Sequence, residues 1–233
     1  MRIRYAKRGR LRFTSHRDFA RAFERALRRA EVPMAYSAGF TPHPKISYVG
    51  ASPTGAASEA EYLEIGLARP VDVGQLRADL DAVLPDGLDI VEAVPAGPGS
   101  LADRIEASQW RIELPGVSEA DAAGALAAFL ACPELRVERI TKSGRRTVDV
   151  REPVVRAVVA AAPAADRAIL DIVVRQVTPA VRPDDVVAAL RDVAGLAPVL
   201  PPIAVRLAQG PIDERGVVGD PLIPDRAHVM PAS

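Results

Sequence analysis

Apolar and polar residues alternate along residues 1–5 and again along 11–13, which predicts a β-strand with one apolar and one basic face. The spacing of the apolar residues then changes to three and four, which predicts a helix. Ser15 is a favoured N-cap for this helix, and Pro33 marks its end. The predicted apolar side of the helix consists of Phe19, Phe23, Ala26, Leu27 and Ala30.

The chain as far as residue 94 completes one β-α-β-β-α-β pattern. After the first strand and helix, the pattern predicts strands over 45–49 and 62–67, a helix over 71–84 and a strand over 88–94. This order is that of the ferredoxin-like split βαβ, in which two helices cover one face of a four-stranded antiparallel sheet.

The same pattern is predicted to repeat beyond a short Gly- and Pro-rich stretch. In the second copy the predicted strands cover 110–114, 135–140, 147–150, 154–161, 168–177 and 203–207, and the predicted helices cover 118–131 and 182–193. The predicted fold class is therefore α+β, with two tandem ferredoxin-like (βαββαβ) domains over 1–96 and 108–210. A linker over 97–107, with a short helix, joins them, and an extended or disordered tail covers 211–233.

Composition is that of an ordinary globular chain, with 48% hydrophobic and 26% charged residues among 233. The formal net charge is zero, so overall charge predicts no affinity for nucleic acid or for a membrane. The charges are unevenly distributed, however. Residues 1–50 hold twelve Lys or Arg against three Asp or Glu, an excess of nine positive charges that the remainder of the chain balances.

The single cysteine, Cys132, excludes an intrachain disulfide framework and an iron–sulfur cluster held by several thiolates of this chain. No stretch of about eighteen apolar residues is present, and the start of the chain leads into the charged stretch 7–12 instead of an apolar signal core. We therefore expect a cytoplasmic protein with no membrane partner.

The first candidate site joins His16, at the start of the predicted helix, to the loop 39–45, which contains His43 and Lys45. Helix-start N–H groups favour an anion, and the prolines on either side of His43 restrict its backbone. Two histidines in a cationic frame suit phosphate binding, general acid–base chemistry or part of a metal site. The alternative is a structural position for each, with His16 bonded to backbone. No carboxylate or third ligand stands at a metal-site spacing, so the sequence predicts no metal and no cofactor.

The second candidate site is the polar side of the same helix. Arg17, Arg21, Arg25 and Arg28 fall within about 80° of each other around the helix axis. Guanidinium groups at this density suit contacts to successive phosphates of a nucleic acid. A solvated helix face and a docking face for an acidic protein surface are the alternatives.

A basic hairpin turn is predicted at 142–146, with Arg145 and Arg146 as further candidates for nucleic-acid or anion binding. Such a turn is more often solvated than functional. It gains interest only if it lies beside the basic face of the first domain.

Several segments resemble those of a known family. They are FTSHRDF at 13–19, FERALRRA at 23–30, YSAGFTPHPKI at 36–46, EAEYLEI at 59–65 and the stretch 142–151, so the likeness covers nearly the whole chain. In these motifs the chain resembles the bacterial radical-SAM-associated (radical-SAM-linked) protein family. That family is defined by a domain of unknown function, found as a separate chain or fused to a radical SAM protein.

The resemblance implies a radical SAM protein as partner and, from the genes near family members, a role in RNA or ribosome metabolism. Because radical SAM chemistry needs a cluster held by several thiolates, that activity would belong to the partner. The leading hypothesis is a non-catalytic accessory protein that binds RNA, or an RNA-containing substrate, through its first domain.

Two other functions compete with this hypothesis. One is a protein–protein adaptor without RNA binding, which the scarcity of aromatic residues favours. The other is a metal-independent RNA endonuclease that uses His16 or His43 as general acid–base, with Lys45 or Arg17 stabilising the developing charge. The endonuclease rests on fold-level analogy to CRISPR repeat-processing endoribonucleases.

Overall fold

The computed structural model describes residues 1–141, 144–164 and 166–229. The chain divides into two compact units. Unit 1 comprises Met1–Ile105 and the final segment from Asp220 onward, and unit 2 comprises Glu106–Gly219. Residues 220–229 therefore belong to the first unit and not to the second.

Unit 1 is built on an antiparallel sheet. Its strands are β1 (Arg2–Lys7), β2 (Ile46–Val49), β3 (Ala57–Ile65) and β4 (Leu88–Val94), and its longer helices are α1 (His16–Arg29) and α2 (Val73–Val83). The strand order is β4-β1-β3-β2, and these neighbours pair antiparallel.

Both α1 and α2 pack on one face of this sheet. Ile3, Leu63 and Ile90 from three different strands meet Phe23 of α1 and Leu80 of α2 in one core. The apolar side predicted for the first helix is confirmed, because its first four members are buried and the last is half-buried.

The opposite face of the unit 1 sheet is also covered. Leu101, Ile105 and Leu222 pack against Tyr62 and Val94 in a second apolar cluster. The face of β1 predicted to be basic is therefore not a solvent-exposed surface.

The final segment differs from the extended or disordered tail predicted over 211–233. Ile223–Val229 forms a short helix, α5, and Asp225 within it is completely buried. The carboxylate of Asp225 binds the guanidinium groups of Arg2 and Arg104. The buried Leu222 and these ion pairs hold this segment in unit 1, and ion pairs leave no periodic apolar pattern in the sequence.

Unit 2 has a β-α-β-β-α-β order with a hairpin inserted after its first helix. Its strands are β5 (Ala107–Pro115), β6 (Arg136–Thr141), β7 (Gly144–Asp149), β8 (Val154–Ala160), β9 (Arg167–Arg175) and β10 (Ile203–Gly210), and its helices are α3 (Glu119–Ala131) and α4 (Pro183–Ala194). The sheet order is β10-β5-β9-β8, with antiparallel neighbours, and β6 pairs with β7 as the hairpin. Both units therefore mix helices with sheet, as predicted for the fold class.

One predicted strand is wrong. The stretch 11–13 lies in a 3-10 helix, Gly9–Phe13, and does not continue β1. Gly9 has a φ of +54°, which turns the chain away from the strand direction. The short helix predicted after β4 is a 3-10 helix over Ala102–Arg104. In the described part of the chain, no helix has the length and apolar character needed to cross a membrane.

Candidate nucleic-acid interface

The sequence of α1 determines which side of this helix faces the core and which side faces solvent. Ser15 is its N-cap, and its Oγ accepts a hydrogen bond of 3.2 Å from the Asp18 N–H. Phe19 and Phe23 are buried in the unit 1 core, which fixes the rotation of the helix about its axis. The opposite side is exposed and carries Arg17, Arg21, Arg25 and Arg28.

We call these four residues the arginine face. Within the described residues, none of its four guanidinium groups has a hydrogen bond or an ion pair. Like charges three or four residues apart on one side of a helix repel each other. An anionic partner that binds all four groups would remove this repulsion, so the arginine face is suited to a row of phosphates.

Other basic residues near the start of the chain stabilise unit 1 itself. Arg2 is 1% exposed and pairs with two carboxylates of the unit. Arg8 binds the Glu59 carboxylate and thereby holds the pKa of Glu59 below its ordinary value. Arg4 and Lys7 donate hydrogen bonds to backbone carbonyl groups. The positive charge available to a partner is therefore concentrated on and around α1.

His16 is exposed, and its imidazole packs edge-to-face on the ring of Tyr48 with centroids 4.9 Å apart. The Tyr48 hydroxyl oxygen is buried and has no hydrogen-bond partner among the described residues. Burial, with the Glu24 carboxylate as the smaller cause, raises the pKa of Tyr48 to about 12. The Asp18 carboxylate accepts a 2.7 Å hydrogen bond from the Ser15 hydroxyl. A carboxylate of the chain itself thus lies at the helix start where the sequence predicts an anion site.

His43 lies at the base of a loop that two hydrogen bonds close. The Ser37 N–H donates to the His43 carbonyl at 2.8 Å, and the His43 N–H donates to Ser37 Oγ at 3.0 Å. The exposed His43 side chain lines a groove of about 270 Å³ between this loop and α1, which we call the α1 groove. Glu24, Arg28 and Tyr36 also line it. One predicted histidine and one predicted arginine therefore share this groove.

Lys45 lines a different depression, of about 400 Å³, together with Ser47 and Glu64. Among the residues that the structure describes, no hydrogen bond or ring contact joins the side chains of Lys45, His43 and His16. The three residues of the predicted site therefore lie in different places. His16 contacts Tyr48, His43 lines the α1 groove, and Lys45 lines the second depression. In the same described ranges, no cluster of three or more His, Cys, Asp or Glu side chains could hold a metal ion.

The basic hairpin formed by β6 and β7 belongs to unit 2. Arg145 pairs with Glu138 at 3.3 Å, and Arg146 is exposed. Lys142 and Ser143, which the sequence places at the hairpin tip, lie outside the described residues. The acidic partner on β6 neutralises part of the predicted basic tip.

The sequence does not predict that three aromatic residues are exposed: Phe13, Tyr36 and Phe40. Aromatic residues make up only 4% of the chain, and that scarcity argued against base stacking. Their positions provide a signal nevertheless. Tyr36 and Phe40 stand outside the apolar spacing of the helices, close to a Gly or Pro, where no core partner is predicted. Phe13 is predicted on the apolar side of the strand over 11–13, which the structure replaces with a 3-10 helix.

Comparison with known proteins identifies a family without an assigned activity. Among curated proteins, none matches the chain. A family model described as "Uncharacterized protein conserved in bacteria (DUF2344)" matches residues 1–183, which include α1 and the α1 groove. Because this match covers more than three quarters of the 233 residues, the chain belongs to the uncharacterized bacterial family DUF2344.

Proposed function

We propose that the protein is a non-catalytic accessory protein of a radical SAM enzyme and that it binds RNA, or an RNA-containing substrate, through unit 1. The observation that carries this proposal is the arginine face, with four exposed guanidinium groups that lack ion-pair partners in the described chain. Each phosphate that such a group neutralises releases counterions, which makes binding favourable and dependent on salt.

The association with a radical SAM enzyme rests on the resemblance of the motifs in α1 and in the loop that follows it. Cys132 is the only cysteine of the sequence, so the thiolates of a radical SAM cluster would come from the partner. In this division of roles, unit 1 binds the RNA and the partner performs the chemistry.

We interpret each unit as a ferredoxin-like domain. In unit 1 the order β4-β1-β3-β2, and in unit 2 the order β10-β5-β9-β8, both have the first and third main strands at the centre. The antiparallel pairing of the strands supports the same interpretation. The β6–β7 hairpin is then an insertion into the second domain.

Charge reversal on α1 tests RNA binding. We expect Arg21→Glu with Arg25→Glu to weaken binding of a fluorescein-labelled RNA of about 16 nucleotides by about tenfold or more at roughly 50 mM salt. The slope of log Kd against log salt should also fall, by about 0.7 for each lost phosphate contact. Fluorescence anisotropy measures both quantities.

The matched control is Arg191→Glu with Arg215→Glu, because these are also exposed arginines but lie in unit 2. We expect this control to change the affinity much less. Unchanged affinity of the α1 variant at low salt would falsify the RNA proposal.

A pull-down of the tagged chain from its native cells tests the partner. The sample is split before washing into a nuclease-treated half and an untreated half. We expect a radical SAM protein in both halves and an enriched RNA in the untreated half. A retained partner without enriched RNA would instead make the arginine face a docking surface for an acidic protein.

A further inference from the structure

Exposed aromatic residues flank α1 in the sequence. Phe13 is 60% exposed and precedes the helix, while Tyr36 and Phe40, which follow it, are 54% and 110% exposed. The other aromatic residues of the chain are buried, apart from the half-buried Tyr48. A single exposed apolar side chain is ordinary, but Phe13, Tyr36 and Phe40 all lie in unit 1, and Tyr36 lines the α1 groove together with Arg28 of the arginine face.

Phe40 occupies the tip of the loop that Ser37 and His43 close. The chain reverses direction through Gly39, whose φ of +124° favours glycine. The hydrogen bonds at the loop base and the fixed φ of Pro42 hold this shape. The phenyl ring is therefore displayed to solvent on a closed loop, where it gains nothing from burial in its own chain.

The α1 groove beside this loop suits a nucleobase better than a phosphate. Tyr36 and His43 supply ring faces on which a base can stack. Glu24, a carboxylate, repels a phosphate but can accept a hydrogen bond from an amino group on the edge of a base. Arg28 belongs both to this groove and to the arginine face, so a base in the groove would leave its phosphate near the other arginines.

We propose that the RNA bound by unit 1 is single-stranded, with bases stacked on Phe40 and Tyr36 and phosphates on the arginine face. The inference rests on the proposed function, because it assigns the form of the RNA that the arginine face binds. In a duplex the faces of the bases are stacked inside the helix, so exposed rings of a protein can reach only unpaired bases. Glu24 adds a preference for bases with an amino group over uracil.

The test compares the full chain and its variants on two kinds of RNA. Fluorescein-labelled oligo(A) and oligo(U) of about 12 nucleotides serve as single strands, and a self-complementary duplex of equal length serves as the reference. Phe40→Leu and Tyr36→Leu keep an apolar side chain but remove the ring, whereas Phe40→Trp keeps a ring. Leu200→Ala is the control, because Leu200 is a 62% exposed apolar residue of unit 2.

We expect each ring-removing variant to lower the affinity for oligo(A) by about fivefold to a hundredfold and to leave the duplex affinity unchanged. Phe40→Trp and Leu200→Ala should bind oligo(A) like the wild type. Oligo(U) should bind more weakly than oligo(A), and Glu24→Gln should reduce that difference.

The possible failures are distinguishable. Suppose that single-stranded RNA binds, that charge reversal on α1 weakens this binding, and that the ring-removing variants bind normally. The stacking inference is then wrong and the proposed function stands. An equal loss of affinity for duplex and single strand in those variants would also overturn the stacking inference. If the wild type binds neither form of RNA at low salt, both the inference and the RNA function fail.

Discussion

At the scale of single residues, Tyr48 contacts one of the two predicted histidines, His16. The Glu24 carboxylate of the α1 groove acts on the Tyr48 hydroxyl. The buried hydroxyl oxygen has lost its hydrogen bonds to water and has gained none from the described residues. This loss is unfavourable to folding, since an unpaired buried polar group retains its full desolvation cost.

We therefore expect Tyr48→Phe to raise the free energy of unfolding by about 1 kcal/mol, because it removes the unpaired hydroxyl and keeps the ring. Urea denaturation at neutral pH, followed by circular dichroism, measures the change. Tyr36→Phe is the control, since the exposed Tyr36 should change stability by less than about 0.5 kcal/mol. A clear loss of stability in Tyr48→Phe would mean that the hydroxyl makes a stabilising contact.

The same hydroxyl predicts a dependence of stability on pH. Because burial raises the pKa of Tyr48 from 10.0 to about 12, the folded chain keeps a proton that the unfolded chain releases. The resulting stabilisation is complete below pH 10 and is lost as the pH rises to about 12. Over this interval we expect the wild type to lose more stability than Tyr48→Phe. Parallel loss in both proteins would show that Tyr48 ionises normally.

Residue spacing predicts only part of the candidate interface. The arginine face follows from a helical period and is visible in the sequence. The grouping of His43 with Glu24 depends on how the loop packs against α1, and the separation of Lys45 depends on the hydrogen bonds that join its backbone to Ala35 and Gly66. Such pairings between distant segments leave no period in the sequence.

At the scale of the element, the N-cap Ser15 stabilises the start of the helix that carries the arginine face. We expect Ser15→Ala to lower the free energy of unfolding by about 1 kcal/mol, because the Asp18 N–H loses its acceptor. Ser15→Asn should retain wild-type stability, since its side chain also accepts this hydrogen bond. Urea denaturation of the three proteins checks the prediction. Equal losses in both variants would contradict a capping role for the Ser15 oxygen.

Periodicity locates α1 to α4 because each of these helices is long enough to show an apolar side. It fails for the 3-10 helix Gly9–Phe13, which has too few residues to establish a period. It also misplaces the start of β3, which begins at Ala57 because Ser58 pairs with Lys7 of β1. Strand ends depend on the partner strand, which a single segment of sequence does not reveal.

At the scale of the whole molecule, the last segment completes the first unit. The Asp225 carboxylate binds Arg2 at 2.5 Å and Arg104 at 2.8 Å, and it accepts a 2.8 Å hydrogen bond from the Gly97 N–H. The family match ends at residue 183, so Asp225 lies outside the matched region, whereas its partners Arg2, Gly97 and Arg104 lie inside it. The composition of this segment is typical of a tail, because it has few apolar residues beside Leu222 and the partners of the Asp225 carboxylate lie more than a hundred residues away.

The helix α5 offers a comparison of a buried and a half-buried ion pair in the same unit. Asp225→Asn leaves the buried Arg2 and the half-buried Arg104 without their shared counter-charge, so we expect it to lower the free energy of unfolding by about 3 kcal/mol. Arg226→Ala removes a side chain that is 40% exposed and pairs with Glu92, and we expect a loss of at most about 1 kcal/mol. Urea denaturation and limited proteolysis of α5 measure both variants. Equal losses would show that burial adds nothing to the Asp225 contacts, whereas the larger loss in Asp225→Asn would make α5 a structural part of unit 1.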